Sequence, residues 1–172
     1  MIYFTSDLHL GHENVIKFQN RPFENVEEMN KVLICNYNAI VRPNDTVYIL
    51  GDLAYKIPVD EVNRLIAKLN GKKYLIRGNH DKRYDENLFE EITDYKEISE
   101  YSEHFILMHY PMLEWKKQHY GSIQLHGHMH NVGADYNLEC KLNGIRRYDV
   151  GVDANDFYPV SITTIIDFMN NN

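Results

Sequence analysis

The sequence predicts an α/β fold in which two mixed β-sheets pack together and are flanked by helices. Three observations favour this class. Short apolar runs suited to buried strands alternate with amphipathic helical patterns in the first half of the chain. A hairpin pattern and further strand patterns follow in the second half. At 172 residues the chain has the length of one domain, so we expect a single domain over residues 1–172.

The first half predicts three parallel strands joined by two helices. The strand patterns are residues 2–4, 47–50 and 74–76, all rich in β-branched, aromatic or aliphatic side chains. Residues 25–41 place their apolar side chains on one helical face, and Asn25 and Glu28 fit a capping box at its start. Residues 59–71 repeat this helical spacing, with Gly71 suited to a C-terminal cap.

The second half predicts a different arrangement of strands. The segments "YKEISEY" and "HFILMHY" favour an antiparallel hairpin, residues 123–125 a buried strand, and "RRYDVGVD" a further strand. The last segment, "SITTIIDFM", has β-branched residues that favour a strand, whereas Ser161 suits the N-cap of a helix. We favour the helix.

Composition excludes several classes of protein. The net charge of -7 argues against a broad basic surface that binds nucleic acid. No segment approaches the roughly 18 consecutive apolar residues of a membrane span, and the N-terminus does not resemble a signal peptide. Cys35 and Cys140 are far apart in sequence and are expected to be reduced. We therefore expect a cytoplasmic protein without a membrane partner.

Polar side chains directly follow five of the predicted strands. Because the carboxyl ends of parallel strands meet at one edge of a sheet, we expect these side chains to converge. The motif "QLHGHMHN" contributes alternating histidines, which could reflect strand packing or half of a metal site. The candidate ligands collected in this way are Asp7, His9, Asp52, Asn79, His109, His128 and His130.

This set of ligands suits borderline divalent metals. Carboxylate, amide oxygen and imidazole fit manganese, iron, zinc, cobalt or nickel, whereas calcium would not accept so much nitrogen. Seven ligands exceed the needs of one ion and fit two ions that share a carboxylate. Two such ions stabilise the attacking and leaving oxygens of an in-line displacement at phosphorus.

The motifs "DLH", "GD", "GNHD", a lone histidine after an apolar run, and "GHMH" occur in this order between residues 7 and 130. They resemble the five signature blocks of the calcineurin-like metallophosphoesterase superfamily. The segment "GVDANDFYP", residues 151–159, is similar to the closing segment of short, stand-alone prokaryotic and phage-type members. The resemblance implies a two-sheet sandwich with outer helices, in agreement with the fold expected from the patterns above.

The resemblance also implies roles for the motif residues. Asp7, His9 and His130 would hold one metal, Asn79, His109 and His128 the other, and Asp52 would bridge them. A hydroxide between the ions would attack phosphorus in line. His80 would act as general acid or phosphate donor, and Asp81 would orient its ring.

The implied activity is that of a metal-dependent phosphoric ester hydrolase, with a phosphodiesterase favoured over a phosphatase restricted to monoesters. Manganese is the favoured metal of the five named above. The partner is a phosphate-ester substrate, which includes esters derived from nucleotides or nucleic acids. The alternatives are a non-catalytic metal-binding scaffold of the same fold and a nucleotide pyrophosphohydrolase.

Other residues near the motifs carry two interpretations each. His12 could contact substrate phosphate or hydrogen-bond within its loop, and Arg77 could contact phosphate or form an ion pair. For His126 and Trp115, packing is favoured over ligand binding and base stacking. A solvated loop is favoured over a role at the mouth of the site for Lys116, Lys117 and His119.

Overall fold

The computed structural model describes residues 1–81 and 84–171, and these contain two mixed sheets with flanking helices, as the sequence predicts. The elements in chain order are β1 (Ile2–Thr5), α1 (Glu13–Phe18), α2 (Val26–Ile40), β2 (Thr46–Ile49), α3 (Val59–Ile66), β3 (Lys72–Ile76), β4 (Glu91–Thr93), β5 (Lys96–Glu100), β6 (Glu103–Leu107), β7 (Ile123–His126), α4 (Asp135–Leu142), β8 (Arg147–Asp149), β9 (Val160–Ser161) and α5 (Ile162–Asn170).

The first sheet has the strand order β4-β3-β2-β1-β9, in which only β9 is antiparallel to its neighbour. The second sheet has the order β5-β6-β7-β8, with the expected hairpin between β5 and β6 and parallel pairing elsewhere. The predicted parallel strands, the hairpin and the strand in "RRYDVGVD" are therefore confirmed. The carboxyl ends of β1, β2 and β3 lie at one edge of their sheet because these strands are parallel.

Alternate residues of β2 and Leu50, which directly follows it, show how the layers pack together. Val47 and Ile49 belong to a core cluster with side chains of α2 and α3. Tyr48 and Leu50 belong to a second cluster, which contains residues of both sheets and of α5. Successive side chains of a strand point to opposite faces. The first sheet is therefore buried on both faces, between helices and the second sheet.

The helix caps follow local sequence rules with two differences. The side chain of Asn25 accepts a hydrogen bond from the Glu28 amide, and that of Ser161 from the Thr164 amide, as N-caps do. Glu28, however, accepts from the Glu24 amide rather than completing the box at Asn25. Gly71 was expected to cap α3, but α3 ends at Ile66.

The prediction for Gly71 was wrong because the chain leaves α3 through two further turns. Lys68 and Leu69 donate to the carbonyls of Leu65 and Ile66, three residues back. Gly71 instead adopts φ +87°, and a Cβ there would lie 2.9 Å from the Asp45 carbonyl oxygen. Gly71 therefore allows the chain to turn closely past Asp45 and begin β3 at the next residue.

Contacts beyond the strands bring the two sheets together at the edge that carries the motifs. Ser6 and Gly151 form a parallel bridge that links the end of β1 to the segment after β8. Within the second sheet, the Gly127 amide donates to the His109 carbonyl and thereby ties the ends of β6 and β7. No helix in the described ranges has the length and apolar character needed to cross a membrane.

Candidate metal centre

Each predicted ligand lies in a turn directly after a strand. The first group comprises Asp7, His9 and His130, whose ligand atoms all lie within 4.8 Å of one another. Nε2 of His9 and Nε2 of His130 are 3.2 Å apart. Oδ1 of Asp7 lies 3.7 Å from Nε2 of His130 and 3.9 Å from Nε2 of His9. These distances suit side chains that share one ion.

The second group comprises Asn79, His109 and His128, from three different turns. Nε2 of His109 lies 3.0 Å from Oδ1 of Asn79 and 3.2 Å from Nδ1 of His128. The turn after β3, in the first sheet, and the turns after β6 and β7, in the second sheet, meet at this point. The group can therefore form only when the two sheets are packed together.

Asp52 lies between the two groups and is almost completely buried. Its Oδ2 is 3.5 Å from Nε2 of His9, in the first group. Its Oδ1 is 3.7 Å from Nε2 of His109, in the second group. One carboxylate thus presents one oxygen to each group, and the structure brings all seven predicted ligands together.

The hydrogen bonds of His109 fix the position of its proton. Nδ1 lies 2.7 Å from the carbonyl oxygen of Leu50, which can only accept, so Nδ1 carries the hydrogen. In the neutral ring, Nε2 is then a lone pair that faces Oδ1 of Asn79 at 3.0 Å. Two acceptors that face each other without a proton are stabilised by a cation. The second group therefore fits a metal ion.

The first group passes the same test. Nδ1 of His130 lies 2.8 Å from Oδ2 of Asp153, which orients the ring so that its Nε2 faces Nε2 of His9. Oδ1 of Asp7 is buried and has no hydrogen-bond partner among the described residues. A buried carboxylate oxygen without a donor is costly unless a cation compensates it. These residues also fit a metal ion.

Five of the seven predicted ligands have left-handed backbone conformations, which are uncommon outside glycine. The φ angles of Asp7, His9, Asp52, His128 and His130 are 58°, 50°, 53°, 70° and 49°. Conformations of this kind persist only where the surrounding structure holds them, and they concentrate at functional sites. Local preference therefore does not account for these turns, and packing around them must hold the ligands in position.

Arg21 and Asp153 support the first group, and the sequence did not single out their side chains. The buried guanidinium of Arg21 donates through Nε and Nη2 to both oxygens of Asp153, at 2.8 Å each. Arg21 also donates to the backbone carbonyls of Asp7 and Leu8. The only local signal was Asp153 within "GVDANDFYP", because Arg21 lies 132 residues away in sequence.

The electrostatic environment raises the pKa of some proposed ligands and lowers that of others. Burial raises the pKa of Asp7 to about 6 and lowers the pKa of His9 to about 2. Burial also lowers the pKa of His128. Burial opposes protonation of His130, but the hydrogen bond to Asp153 and the charge of Asp7 outweigh it and raise its pKa. His9 and His128 are therefore neutral at pH 7 and able to bind metal.

His80 lies beside the centre, as the "GNHD" motif implies, but Asp81 does not contact its ring in the way expected. The His80 amide donates to Oδ1 of Asp52, and Nε2 of its ring is 3.9 Å from Oδ2 of Asp52. The described hydrogen bonds of Asp81 go to the amides of Gly78, Asp52 and Leu53 and to the Tyr84 hydroxyl. The expectation that Asp81 orients the His80 ring is therefore corrected. The described contacts of Asp81 hold the turns after β2 and β3 together.

For the neighbouring residues that had two interpretations, the contacts decide between them. His126 is fully buried, with Nδ1 2.8 Å from the Gly127 carbonyl oxygen, which confirms a core role. Trp115 is 7% exposed and donates to Ser122, which confirms packing. Nε of Arg77 pairs with Asp94 at 2.8 Å, as the ion-pair interpretation expected.

The loop that contains Lys116, Lys117 and His119 is exposed, and Nζ of Lys116 pairs with Glu97 at 3.0 Å. The solvated-loop interpretation is therefore confirmed. The backbone of His12 forms hydrogen bonds within its own turn, from its amide to the His9 carbonyl and from the Val15 amide to its own carbonyl. Its Nδ1 is buried without a partner among the described residues, and its ring lies 4.4 Å from that of Tyr55. Contact of His12 with substrate phosphate stays a prediction.

Comparisons with known proteins point to one family. The family model of the calcineurin-like phosphoesterases matches residues 1–151. The uncharacterized protein MJ1445 of Methanocaldococcus jannaschii is 40% identical over 168 residues, which cover 96% of this chain and 89% of that protein. The Gene 66 protein of Mycobacterium phage L5 is 28% identical over 161 residues, 75% of this chain and 77% of that protein.

A solved structure extends the similarity to the fold. The protein of unknown function AQ665 from Aquifex aeolicus superposes with a TM-score of 0.77 at 30% sequence identity. The match covers 97% of this chain and 98% of that one. The two-sheet arrangement is therefore shared over nearly the whole length of both chains.

Proposed function

This chain belongs to the calcineurin-like phosphoesterase family, and from that premise we propose that it is a dinuclear metal-dependent phosphoester hydrolase that favours phosphodiesters. The observation that carries the proposal is the position of Asp52. Its two oxygens face two separate groups of ligands, 3.5 Å from Nε2 of His9 and 3.7 Å from Nε2 of His109. A single metal site would have no need of a carboxylate shared in this way.

The seven side chains then divide between two ions. Asp7, His9 and His130 would hold one ion and Asn79, His109 and His128 the other, with Asp52 shared. The donors are imidazole nitrogen, carboxylate oxygen and amide oxygen, and thiolate is absent among the described ligands. This mixture favours manganese, with iron, zinc, nickel and cobalt as the other candidates.

Two bound divalent ions supply the hydrolytic chemistry by lowering the pKa of a water molecule and neutralising charge on the phosphate oxygens. The protein supplies orientation and a proton. The His80 amide is anchored on Oδ1 of Asp52, and about a third of its side chain (36%) is exposed beside the ligands. We assign it the role of donor to the departing ester oxygen.

The preference for diesters rests on charge. A monoester carries up to two negative charges, and a diester carries one. Arg21 is buried and already paired with Asp153, so its charge is not available to a substrate. Lys56 is the cation that lines the cavity beside His9 and His80 in the described part of the chain. We take Lys56, added to the two ions, to suit the single negative charge of a phosphodiester.

The decisive experiment combines metal analysis with a substrate screen. The purified protein is loaded with manganese, zinc, nickel or iron, its metal content is measured, and phosphomonoesters, linear and cyclic diesters and pyrophosphates are supplied. We expect two ions per chain and the fastest turnover on a diester. Two ions without turnover would favour the scaffold alternative, and turnover restricted to pyrophosphates would favour the pyrophosphohydrolase.

The bridging assignment has its own test. Asp52→Ala should lower the content of both ions together, whereas Asp7→Ala should lower mainly the ion of the first group. An Asp52→Ala protein that keeps one site full and keeps its activity would rule out the shared carboxylate. Metal content by elemental analysis and activity on the best diester are measured side by side.

We also propose that residues 1–172 form one domain and that the protein acts in the cytoplasm. The core cluster that includes Leu50, Leu125 and Ile165 contains both sheets and the last helix, which supports one cooperative unit. Both cysteines are free thiols, which suits a reducing compartment. Denaturation with a single transition and fractionation of cells that produce the protein would test these two points.

A further inference from the structure

A cavity of about 350 Å³ opens beside the first group of ligands. His9, His130 and His80 form its inner wall, and Phe18, Tyr55 and Lys56 are among the residues that form the remainder. No acidic side chain appears among the described lining residues. The volume falls within the range of about 300–1,000 Å³ that is typical of small-molecule sites.

Aromatic rings form a continuous wall of this cavity. Tyr55 lies between His12 and His80, and its ring centroid is 4.4 Å from each of theirs in edge-to-face contact. Nζ of Lys56 lies 4.9 Å from the Tyr55 centroid. The wall thus joins the proposed proton donor to a cation through packed rings.

Phe18 extends this wall into solvent. It ends α1 and is 71% exposed, and its ring centroid lies 6.5 Å from that of His12. An exposed phenylalanine by itself means little, because single apolar residues on surfaces are common. Here the open ring adjoins a cavity that leads to the candidate metal centre, so a bound molecule would be able to cover it.

We infer that this cavity binds a planar aromatic ring carried by the leaving alcohol of the phosphoester substrate. The inference rests on the proposed function and names the class of its substrate. Stacking and edge-to-face contacts with Phe18 and Tyr55 would bind the ring, and Asn14 and Gln19 in the lining offer amide donors and acceptors. Both an aryl group and a nucleobase have this chemistry.

The ring belongs to the leaving group because His80 lines the same cavity. A group that departs from phosphorus takes its proton from the side on which the donor lies. A second cavity, of about 270 Å³, is lined by Asn79, His109 and Tyr110 and adjoins the other group of ligands. It leaves room for a second ester substituent away from His80.

The test measures binding of phosphonates, which cannot be hydrolysed at the carbon–phosphorus bond, to the manganese-loaded protein by calorimetry. Methylphosphonate reports the metal centre alone, cyclohexylmethylphosphonate adds apolar volume, and benzylphosphonate adds a planar ring. A nucleoside phosphonate distinguishes a nucleobase from an aryl group. We expect benzylphosphonate to bind on the order of tenfold more tightly than methylphosphonate, because its ring can stack on an aromatic side chain of the cavity.

Variants locate the ring. Phe18→Leu and Tyr55→Leu keep apolar volume but remove the aromatic face, so each should erase most of the preference for benzylphosphonate over methylphosphonate. Tyr55→Phe should keep the preference because the ring remains. Tyr120→Leu is the matched control, since Tyr120 is 91% exposed and does not line the cavity.

Equal binding of benzylphosphonate and cyclohexylmethylphosphonate would overturn the inference, as would a preference that survives both leucine variants. A stronger affinity for the nucleoside phosphonate than for benzylphosphonate identifies a nucleobase, and the reverse order identifies an aryl group. Either order supports the inference if both bind more tightly than cyclohexylmethylphosphonate. A protein that hydrolyses diesters without any ring preference refutes this subsite alone. One that prefers rings without hydrolysing any ester refutes the proposed function alone.

Discussion

At the scale of single residues, His80 differs from the proposed metal ligands that surround it. Its amide is fixed on Oδ1 of Asp52, while Nε2 of its ring is 3.9 Å from Oδ2 of the same carboxylate. The ring also packs against Tyr55, with centroids 4.4 Å apart. These contacts hold the ring beside the centre without requiring it to bind an ion.

The first prediction concerns proton donation by His80. His80→Ala should keep its metals and lose on the order of a hundredfold or more in rate on alkyl or nucleoside diesters. Nitrophenyl diesters should lose distinctly less, because nitrophenolate departs without protonation. Steady-state rates on both kinds of ester, with metal content measured in parallel, check this. Equal losses on both esters would change the role of His80 to phosphate binding.

Asp81→Asn provides the contrast. Its carboxylate accepts four hydrogen bonds, three of them from the backbone amides of Gly78, Asp52 and Leu53. We expect this variant to lose metal affinity and to slow both kinds of ester alike. Selective loss on poor leaving groups would restore the earlier interpretation that Asp81 orients His80.

The second prediction concerns Asp153, which links buried Arg21 to His130. Asp153→Asn should weaken binding of the first-group ion by about 10–100-fold, because outer partners orient a ligating imidazole and raise its basicity. Competition with a chelator measures this affinity. Glu103→Gln is the matched control, since Glu103 also pairs with an arginine, Arg146, but is not among the residues near the ligands. Unchanged metal affinity in Asp153→Asn would remove Asp153 from the site.

At the scale of elements, the turns after the strands position the proposed ligands as much as the strands do. The turn after β7 contains Gly127, and a Cβ there would overlap Oγ of Ser6 and Oδ2 of Asp7. Oδ2 of Asp7 already accepts the His128 amide at 2.9 Å. Only glycine allows β1 and β7 to bring Asp7 and His128 this close together.

The third prediction follows from that contact. Gly127→Ala should displace Asp7 and reduce metal content, with an additional loss of stability. Gly121→Ala is the control: Gly121 has φ +84°, so alanine is strained there, but its Cβ would meet no atom within 4 Å. The control should lose about 1 kcal/mol of stability and keep its metals. If both variants keep full metal content, the close approach does not position Asp7.

At the scale of the whole molecule, the site competes with protons for its ligands. Burial raises the pKa of Asp7 to about 6, and the pKa of His130 is raised above its usual 6.5 by Asp153 and Asp7 despite burial. Both groups therefore carry protons in the metal-free protein at slightly acidic pH. His9 has a pKa of about 2 and is already neutral. A metal ion must displace protons from Asp7 and His130 but not from His9.

The fourth prediction is a steep loss of metal affinity on acidification. A raised pKa means that the proton-bound form persists to higher pH, so affinity falls as pH decreases through the pKa values of His130 and Asp7. With two protons displaced, affinity should fall up to about 100-fold per pH unit below about pH 6 and should level off at higher pH. Calorimetry in buffers of different ionisation enthalpy counts the released protons. Release of no protons at pH 6 would contradict the prediction.

The sequence by itself determined the parallel β1, β2 and β3, the caps of α2 and α5, and the seven side chains that converge. These features depend on apolar periodicity and on hydrogen bonds that reach three residues along the chain, so short segments contain the information. Local patterns were insufficient for α1, with six residues, and for α4, which exposes Leu138 and Leu142 while it buries Asn137.

Only the tertiary structure decided which partners support the site. Arg21 meets Asp153 across 132 residues, and Asp81 braces amides 28 and 29 residues away rather than the ring next to it. The wall formed by Phe18 and Tyr55 likewise depends on how α1 packs beside the turn after β2. Such contacts depend on how the helices and the two sheets pack, and no spacing within a single segment specifies that packing.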